Sequence, residues 1–356
     1  MAVEEPSVIE PTGERPDAQR YYADTAAVGM VPLWTFFGDW FPAEPRIDAI
    51  PYLWRYSDVR PLLLDAAQVI STEKAERRVL VLENPALRGR RLATDSLYAG
   101  LQLIMPGETA RSHRHSAAAL RFIIEGRDTY TSVAGERCYM QPGDFITTPS
   151  WVWHDHGNES DQPTVWLDVL DVALVRFLGA GFSEQYSELR FPETAPALDS
   201  YYRYGRNLLP AGFQRPPQAS PVFTYPYAQA RETLEWLRTH GPMDPHLGLK
   251  MEYTDPTSGG PAIPTISTFL QLVPAGFATR PYASTAGAVV CVVAGSGRAT
   301  IARGERAHTF EFGRGDLVSV PSWHDLQIHA TTDAVLFSAS DEAVQRKLGL
   351  WRERRG

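Results

Sequence analysis

The sequence predicts an all-β protein made from two copies of one β-barrel module, and three observations carry that prediction. Short apolar runs alternate with Gly, Pro, Asn and Asp turns along most of the chain, as expected of many short strands. The turns themselves recur: Gly126 and Gly135-Glu136-Arg137 return as Gly295 and Gly304-Glu305-Arg306 at a separation of 169. Gly143-Asp144 and Pro149-Ser150-Trp151 return as Gly315-Asp316 and Pro321-Ser322-Trp323 at 172. Finally, four of the nine histidines crowd into Gly107 to Asn158, as His113 and His115 and then His154 and His156. In an extended chain, residues two apart share a face.

Composition narrows the function. A chain of 356 residues with 44% hydrophobic and 11% aromatic content can bury a large core. A net charge of -8 without a run of Lys or Arg excludes a nucleic-acid surface. Two cysteines, Cys138 and Cys291, do not make a disulfide framework, no apolar run approaches a membrane span, and Met1 to Pro16 has no hydrophobic signal core. A cytoplasmic protein is expected, with no nucleic-acid or membrane partner.

In order along the chain, residues 1–70 form an N-terminal arm and helix. Tyr21 to Trp54 is dense in aromatic residues and calls for packing on a barrel or on another subunit. Asp58 is placed to cap a helix through Ile70, with Pro61 in its first turn. Residues 71–180 form the first module. Leu97 to Met105 is a strand with Tyr98, Gly100 and Gln102 on one face, followed by strands near 113–125, 128–133, 136–141, 144–149 and 164–170. Residues 181–260 read as a proline-rich linker with a helix over Ala228 to Thr239. Residues 261–356 are the second module, with strands at Pro264 to Leu272 and Gly287 to Val293 and a C-terminal helix from Asp341 to Trp351 whose negative end suits Arg352, Arg354 and Arg355. At the histidine positions this copy has Tyr282, Ser284 and Leu326.

A histidine pair on one strand and a third histidine from a neighbour can give three imidazole nitrogens to one side of a metal and leave the other side open. That is a catalytic geometry. The spacing Gly107, His113, His115, Gly126 resembles the first cupin motif, and Gly143, Pro149, His154, Asn158 the second. Where cupins usually carry a glutamate ligand this chain has Ala119 or Leu120, so the site is a three-histidine one. Neutral imidazoles leave the full divalent charge on the metal, which favours a substrate bringing two anionic oxygens. Arg121 lies an even number of residues from both His113 and His115, so an unbroken strand points it into the same cavity. Among Leu120, Phe122, Ile123 and Ile124 it needs a partner, and a substrate carboxylate or an internal acid such as Glu125 would serve. Tyr98 and Gln102 are candidate pocket walls, and Trp151 and Trp153 read as core.

Four runs resemble gentisate 1,2-dioxygenases: Ala75 to Pro85, Leu97 to Leu103, Ala119 to Gly126 and Pro149 to Glu159. The resemblance extends over nearly the whole chain from about residue 30. It implies a bicupin of two jelly-roll β-barrels with added helices at the N-terminus, linker and C-terminus, Fe(II) held by His113, His115 and His154, and a homotetramer. It implies O2-dependent cleavage of a small aromatic 2-hydroxy acid, gentisate giving maleylpyruvate. The same chemistry on salicylate, a 5-substituted salicylate such as 5-nitrosalicylate, or 1-hydroxy-2-naphthoate is the nearest alternative. A metal-dependent isomerase or a noncatalytic binding protein is the alternative of another class. The resemblance also assigns Arg77, Arg121, His156 and Asp168 to substrate contact and makes His156 and Asp168 the catalytic residues, with His156 at the 2-hydroxyl oxygen or bound oxygen. Arg78 beside Arg77 competes for the inward position, and Asp168 is placed either at a ring 5-hydroxyl or behind His156.

Overall fold

The computed structural model describes residues 17–214 and 219–356. Two compact units divide the chain, one up to Ile47 and the other Asp48–Gly356. In the first, α1 (Ala18–Ala27), a short 3-10 turn and α2 (Phe37–Trp40) are held by their own aromatic rings. Tyr21 stacks on Trp34, Phe36 meets Trp40 edge-on, and Phe37 tilts against Phe41.

In the second unit the repeat is longer than the turn motifs suggest. Its first pass runs β1 (Tyr52–Trp54), α3 (Tyr56–Val69), α4 (Thr72–Ala75), β2 (Val79–Val81), β3 (Tyr98–Ile104), β4 (Thr109–His115), β5 (Ala119–Glu125), β6 (Thr129–Val133), β7 (Glu136–Met140), β8 (Phe145–Thr148), β9 (His154–Asn158), β10 (Thr164–Leu170), α5 (Val172–Phe177) and β11 (Ser183–Gln185). After α6 (Asp199–Tyr204), the second pass runs β12 (Thr224–Tyr225), α7 (Tyr227–His240), β13 (Leu249–Glu252), β14 (Ser267–Val273), β15 (Tyr282–Ser284), β16 (Ala288–Ala294), β17 (Gly297–Arg303), β18 (Arg306–Phe312), β19 (Leu317–Val320), β20 (Asp325–Ala330), β21 (Ala334–Ser340), α8 (Glu342–Lys347) and β22 (Glu353–Arg355). Each pass yields a six-stranded sheet facing a five-stranded one, a jelly roll with open edges rather than a closed barrel. The orders β12-β8-β5-β10-β3-β2 and β1-β19-β16-β21-β14-β13 correspond strand for strand, as do β11-β4-β9-β6-β7 and β22-β15-β20-β17-β18.

The edge strands are exchanged. β1, which precedes the first module, pairs with β19 of the second, and β12, which precedes the second, pairs with β8 of the first. The helix after each exchanged strand is capped from across the exchange. The Tyr56 amide donates to the Asp316 carboxylate at 2.8 Å and the Tyr227 amide to that of Asp144 at 2.9 Å. Gly143 and Gly315 must be glycine. A Cβ on either would stand 2.5 Å and 2.7 Å from the rings of Tyr227 and Tyr56, and both have positive φ. The Gly-Asp repeat of the sequence is therefore a pair of reciprocal helix caps.

Several expectations are corrected. Asp58 lies inside the first turn of α3, with Arg55 at the cap position, and Pro61 falls in the second turn. The strand expected over 113–125 breaks at Ser116-Ala117-Ala118 into β4 and β5, which belong to facing sheets. The C-terminal helix stops at Lys347, and Arg354 and Arg355 belong to β22, which pairs with β15. Trp151 and Trp153 are half-buried and sandwich the Arg114 guanidinium at 4.4 Å from each ring.

Strand alternation sorts the large sheets into two faces. Leu101, Leu120, Phe122, Phe145 and Leu167 join Leu270, Val289, Cys291, Leu317 and Phe337 in one apolar cluster shared by both modules, with Phe122 stacked on Phe337 at 4.0 Å. The opposite face of the first sheet, carrying Gln102, Arg121, Trp166 and Asp168, looks into its own jelly roll, where the histidines lie. Among the described residues, no helix is long and apolar enough to cross a membrane.

Candidate active site

β4 and β9 are neighbours with His113 directly opposite His154, so the first histidine pair and the third histidine meet across one ladder. Ligand atoms of His113, His115 and His154 all lie within 4.8 Å of one another. The Nδ1 atoms of His115 and His154 face the carbonyls of Ala117 at 2.7 Å and Val152 at 2.9 Å. A carbonyl only accepts, so each Nδ1 carries the proton and each Nε2 presents a lone pair. His154 Nε2 is buried with no protein partner. The Trp151 amide donates to the His115 carbonyl at 2.8 Å, with Trp151 at φ 63, tying the turn before β9 to the end of β4. Trp323 repeats this on Ser284 with φ 58, although its module has no histidine set.

All three imidazoles are held below their ordinary pKa by burial first; after it come Arg77 for His113, Arg121 and Arg77 for His115, and the neighbouring His113 and then Arg121 for His154. Neutral imidazole is the form that binds a metal, and the burial, the tautomers of His115 and His154 and the orphaned Nε2 of His154 fit a divalent ion.

The other expected residues gather around this cluster. Arg121 is 3% exposed. Its Nη1 donates to Thr148, while Nε faces Asp168 at 3.7 Å without a hydrogen bond. Asp168 sits directly opposite Arg121 in the β5–β10 ladder and accepts from the Trp166 indole at 3.0 Å. Burial pushes the Asp168 carboxyl up to about 6, against the pull of Arg121. Arg77 lies with its guanidinium against His113 and donates to the Arg111 carbonyl at 2.8 Å. Arg78 turns away, paired with Glu108 and bonded to Thr72 at 2.8 Å. The inward arginine is therefore Arg77. Gln102 is buried beside Trp166, and the Tyr98 hydroxyl is raised to about 12 by burial and then by Asp168.

His156 follows His154 on β9 and turns to the same interior. Its Nδ1 is 2.9 Å from Thr131 Oγ1, its ring lies 5.2 Å from that of Trp166, and its Nε2 is buried without a partner. Thr131 and Thr148 are site residues that sequence reading misses. Thr131 stands opposite His156 only through the β6–β9 register, and Thr148 reaches Arg121 only because β8 neighbours β5.

The cupin domain family matches residues 100–170, which span the histidine cluster. Gentisate 1,2 dioxygenase 1 of Aquipseudomonas alcaligenes is 44% identical over 95% of this chain and 96% of its own length. The chain belongs to the gentisate 1,2-dioxygenase family. The 5-aminosalicylate 1,2-dioxygenase of a Comamonas species is 36% identical over 96% of this chain and 91% of its own. Salicylate 1,2-dioxygenase from Pseudoaminobacter salicylatoxidans, solved as an adduct with gentisate, superposes with a TM-score of 0.90 at 30% identity, covering 98% of this chain and 96% of that one. Like its gentisate dioxygenase relatives, the protein is a ring-cleaving dioxygenase of the bicupin type, and its histidine cluster implies a metal cofactor.

Proposed function

We propose that this dioxygenase cleaves gentisate between the carboxylate-bearing and hydroxyl-bearing ring carbons, with both atoms of O2 entering the product, maleylpyruvate. The observation that carries this reading is a buried Arg121 Nε, facing Asp168 but hydrogen-bonded to nothing, beside three convergent neutral histidines. His113, His115 and His154 would hold Fe(II), which supplies the redox-active centre that an aromatic 2-hydroxy acid and oxygen both need. Arg121 grips the substrate carboxylate through charge-assisted hydrogen bonds and holds the ring in one orientation. Arg77 adds positive charge on the His113 side. His156 keeps a buried, bare Nε2 beside the histidine cluster, suited to the proton of the 2-hydroxyl, and Thr131 fixes the ring that carries it. Asp168 accepts from the 5-hydroxyl, and Tyr98 and Gln102 form the walls.

The same chemistry on salicylate or a 5-substituted salicylate is a second reading, favoured by the likeness to a 5-aminosalicylate and a salicylate dioxygenase. The assembly proposed is a homotetramer, with the aromatic arm of residues 17–47 as a contact. The test is anaerobic reconstitution with ferrous iron, followed by oxygen uptake with gentisate, salicylate, 5-nitrosalicylate and 1-hydroxy-2-naphthoate. Uptake fastest with gentisate, coupled to maleylpyruvate, is the expected result. Uptake with none of the four at full iron loading rejects the proposal.

A further inference from the structure

The module without the histidine set has a cavity of about 60 Å³, lined by both polar and apolar side chains, on the inner face of its large sheet. Register identifies what has replaced the first module's chemistry. Arg121 and Asp168 face each other across β5 and β10, and the corresponding pair across β16 and β21 is Val290 and Ser338. Val79 stands opposite Gln102 across β2 and β3, and the corresponding pair across β13 and β14 is Lys250 and Gln271. The positive charge has thus moved from a central strand to the edge strand, and it still lines the cavity.

The Lys250 ammonium lies over the Phe269 ring at 4.2 Å. Among the described residues it makes no hydrogen bond and no ion pair, and burial lowers its pKa against the pull of Glu342 and Glu252. The one carboxylate lining the cavity, Glu342, gives one oxygen, Oε1, to Arg346 at 2.7 Å and 2.6 Å. The hydroxyl oxygens of Thr279 and Ser340 accept backbone N–H groups, which leaves their own protons free to donate. The wall therefore offers donors, with a cation among them. A half-buried ammonium with no hydrogen-bond acceptor in the protein is only partly compensated, and an anion in the cavity completes it.

We propose that the C-terminal module binds a small carboxylate, the size of acetate, anchored by Lys250. The volume admits only a handful of water-sized spheres, which suits a ligand of few heavy atoms. This site is separate from the histidine cluster and does not depend on which substrate is cleaved there.

The test is equilibrium dialysis of the full-length, metal-loaded enzyme against radiolabelled acetate. It is done in an Arg121→Met background so that the first module cannot supply a carboxylate site. Stoichiometric retention that weakens about tenfold or more on adding Lys250→Met, with partial recovery in Lys250→Arg, supports the proposal. Lys250→Gln replaces the methionine variant should that variant lose its near-ultraviolet circular dichroism. No retention by the Arg121→Met protein, or equal retention after Lys250 is replaced, overturns it.

Discussion

At the scale of residues, the site depends on a few buried polar atoms without protein partners. His154→Ala should reduce metal content, measured by atomic emission, to background, while far-ultraviolet circular dichroism is unchanged because β9 keeps its ladder. Asp168→Asn should weaken apparent affinity for gentisate by about tenfold and leave that for salicylate nearly unchanged, since only gentisate has a 5-hydroxyl to bond. Equal losses on both acids would reassign Asp168 to positioning Arg121. The histidine set was legible in the sequence because parity and spacing are local. Arg121 was singled out on the assumption of an unbroken strand, whereas it reaches the cavity from the facing sheet. Its burial among Leu120, Phe122, Ile123 and Ile124 was the valid signal. Arg77 and Arg78 could not be separated, because Glu76 sits at φ 55 and breaks the alternation just before them. Thr131 left no local signal, being defined by a strand register.

At the scale of elements, glycines and acids at turns define where strands end and helices begin. Asp144→Ala and Asp316→Ala each remove an acceptor from a helix N-terminus, and each should cost about 1 kcal/mol. The caps serve separate helices and share no partner, so the double variant should lose about the sum. Thermal unfolding monitored by circular dichroism checks both claims. Gly126→Ala should be more damaging, because φ is 112 and its Cβ would overlap the Thr164 side chain. A loss of about 2 to 4 kcal/mol is expected from strain and overpacking together. Strands bounded by Gly, Pro and Asp in the first module were legible to within a residue or two, whereas the strand expected from Pro264 starts only at Ser267. The break at Ser116-Ala117-Ala118 was not, since three small residues can continue a strand as well as turn it. The end of α8 was also missed: Gly349 at φ 71 closes it, and Arg354 and Arg355 serve β22.

At the scale of the whole molecule, the two modules share one apolar cluster, and neither large sheet is covered without the other. Phe337→Ala, in the module that lacks the histidines, should destabilise the protein by about 3 to 5 kcal/mol by opening a cavity beside Phe122. That corresponds to a fall on the order of ten degrees in the unfolding midpoint. Calorimetry should show one transition for both modules. Two separated transitions would contradict a common core. The duplication was legible from repeated turns, but its extent was not, because β1 with α3 and β12 with α7 carry almost no shared sequence. The exchange of these segments bears on how the chain is made. Synthesis proceeds from the N-terminus, so β1 leaves the ribosome more than 260 residues before Ser319, the partner of Tyr52. The β12 strand, by contrast, emerges when β8 is already available. The metal-binding module can therefore assemble with its own edge covered while Tyr52, Leu53 and Trp54 wait unpaired. A nascent chain arrested before Leu317 carries that apolar strand exposed, which makes it the natural place for a chaperone to hold the unfinished protein.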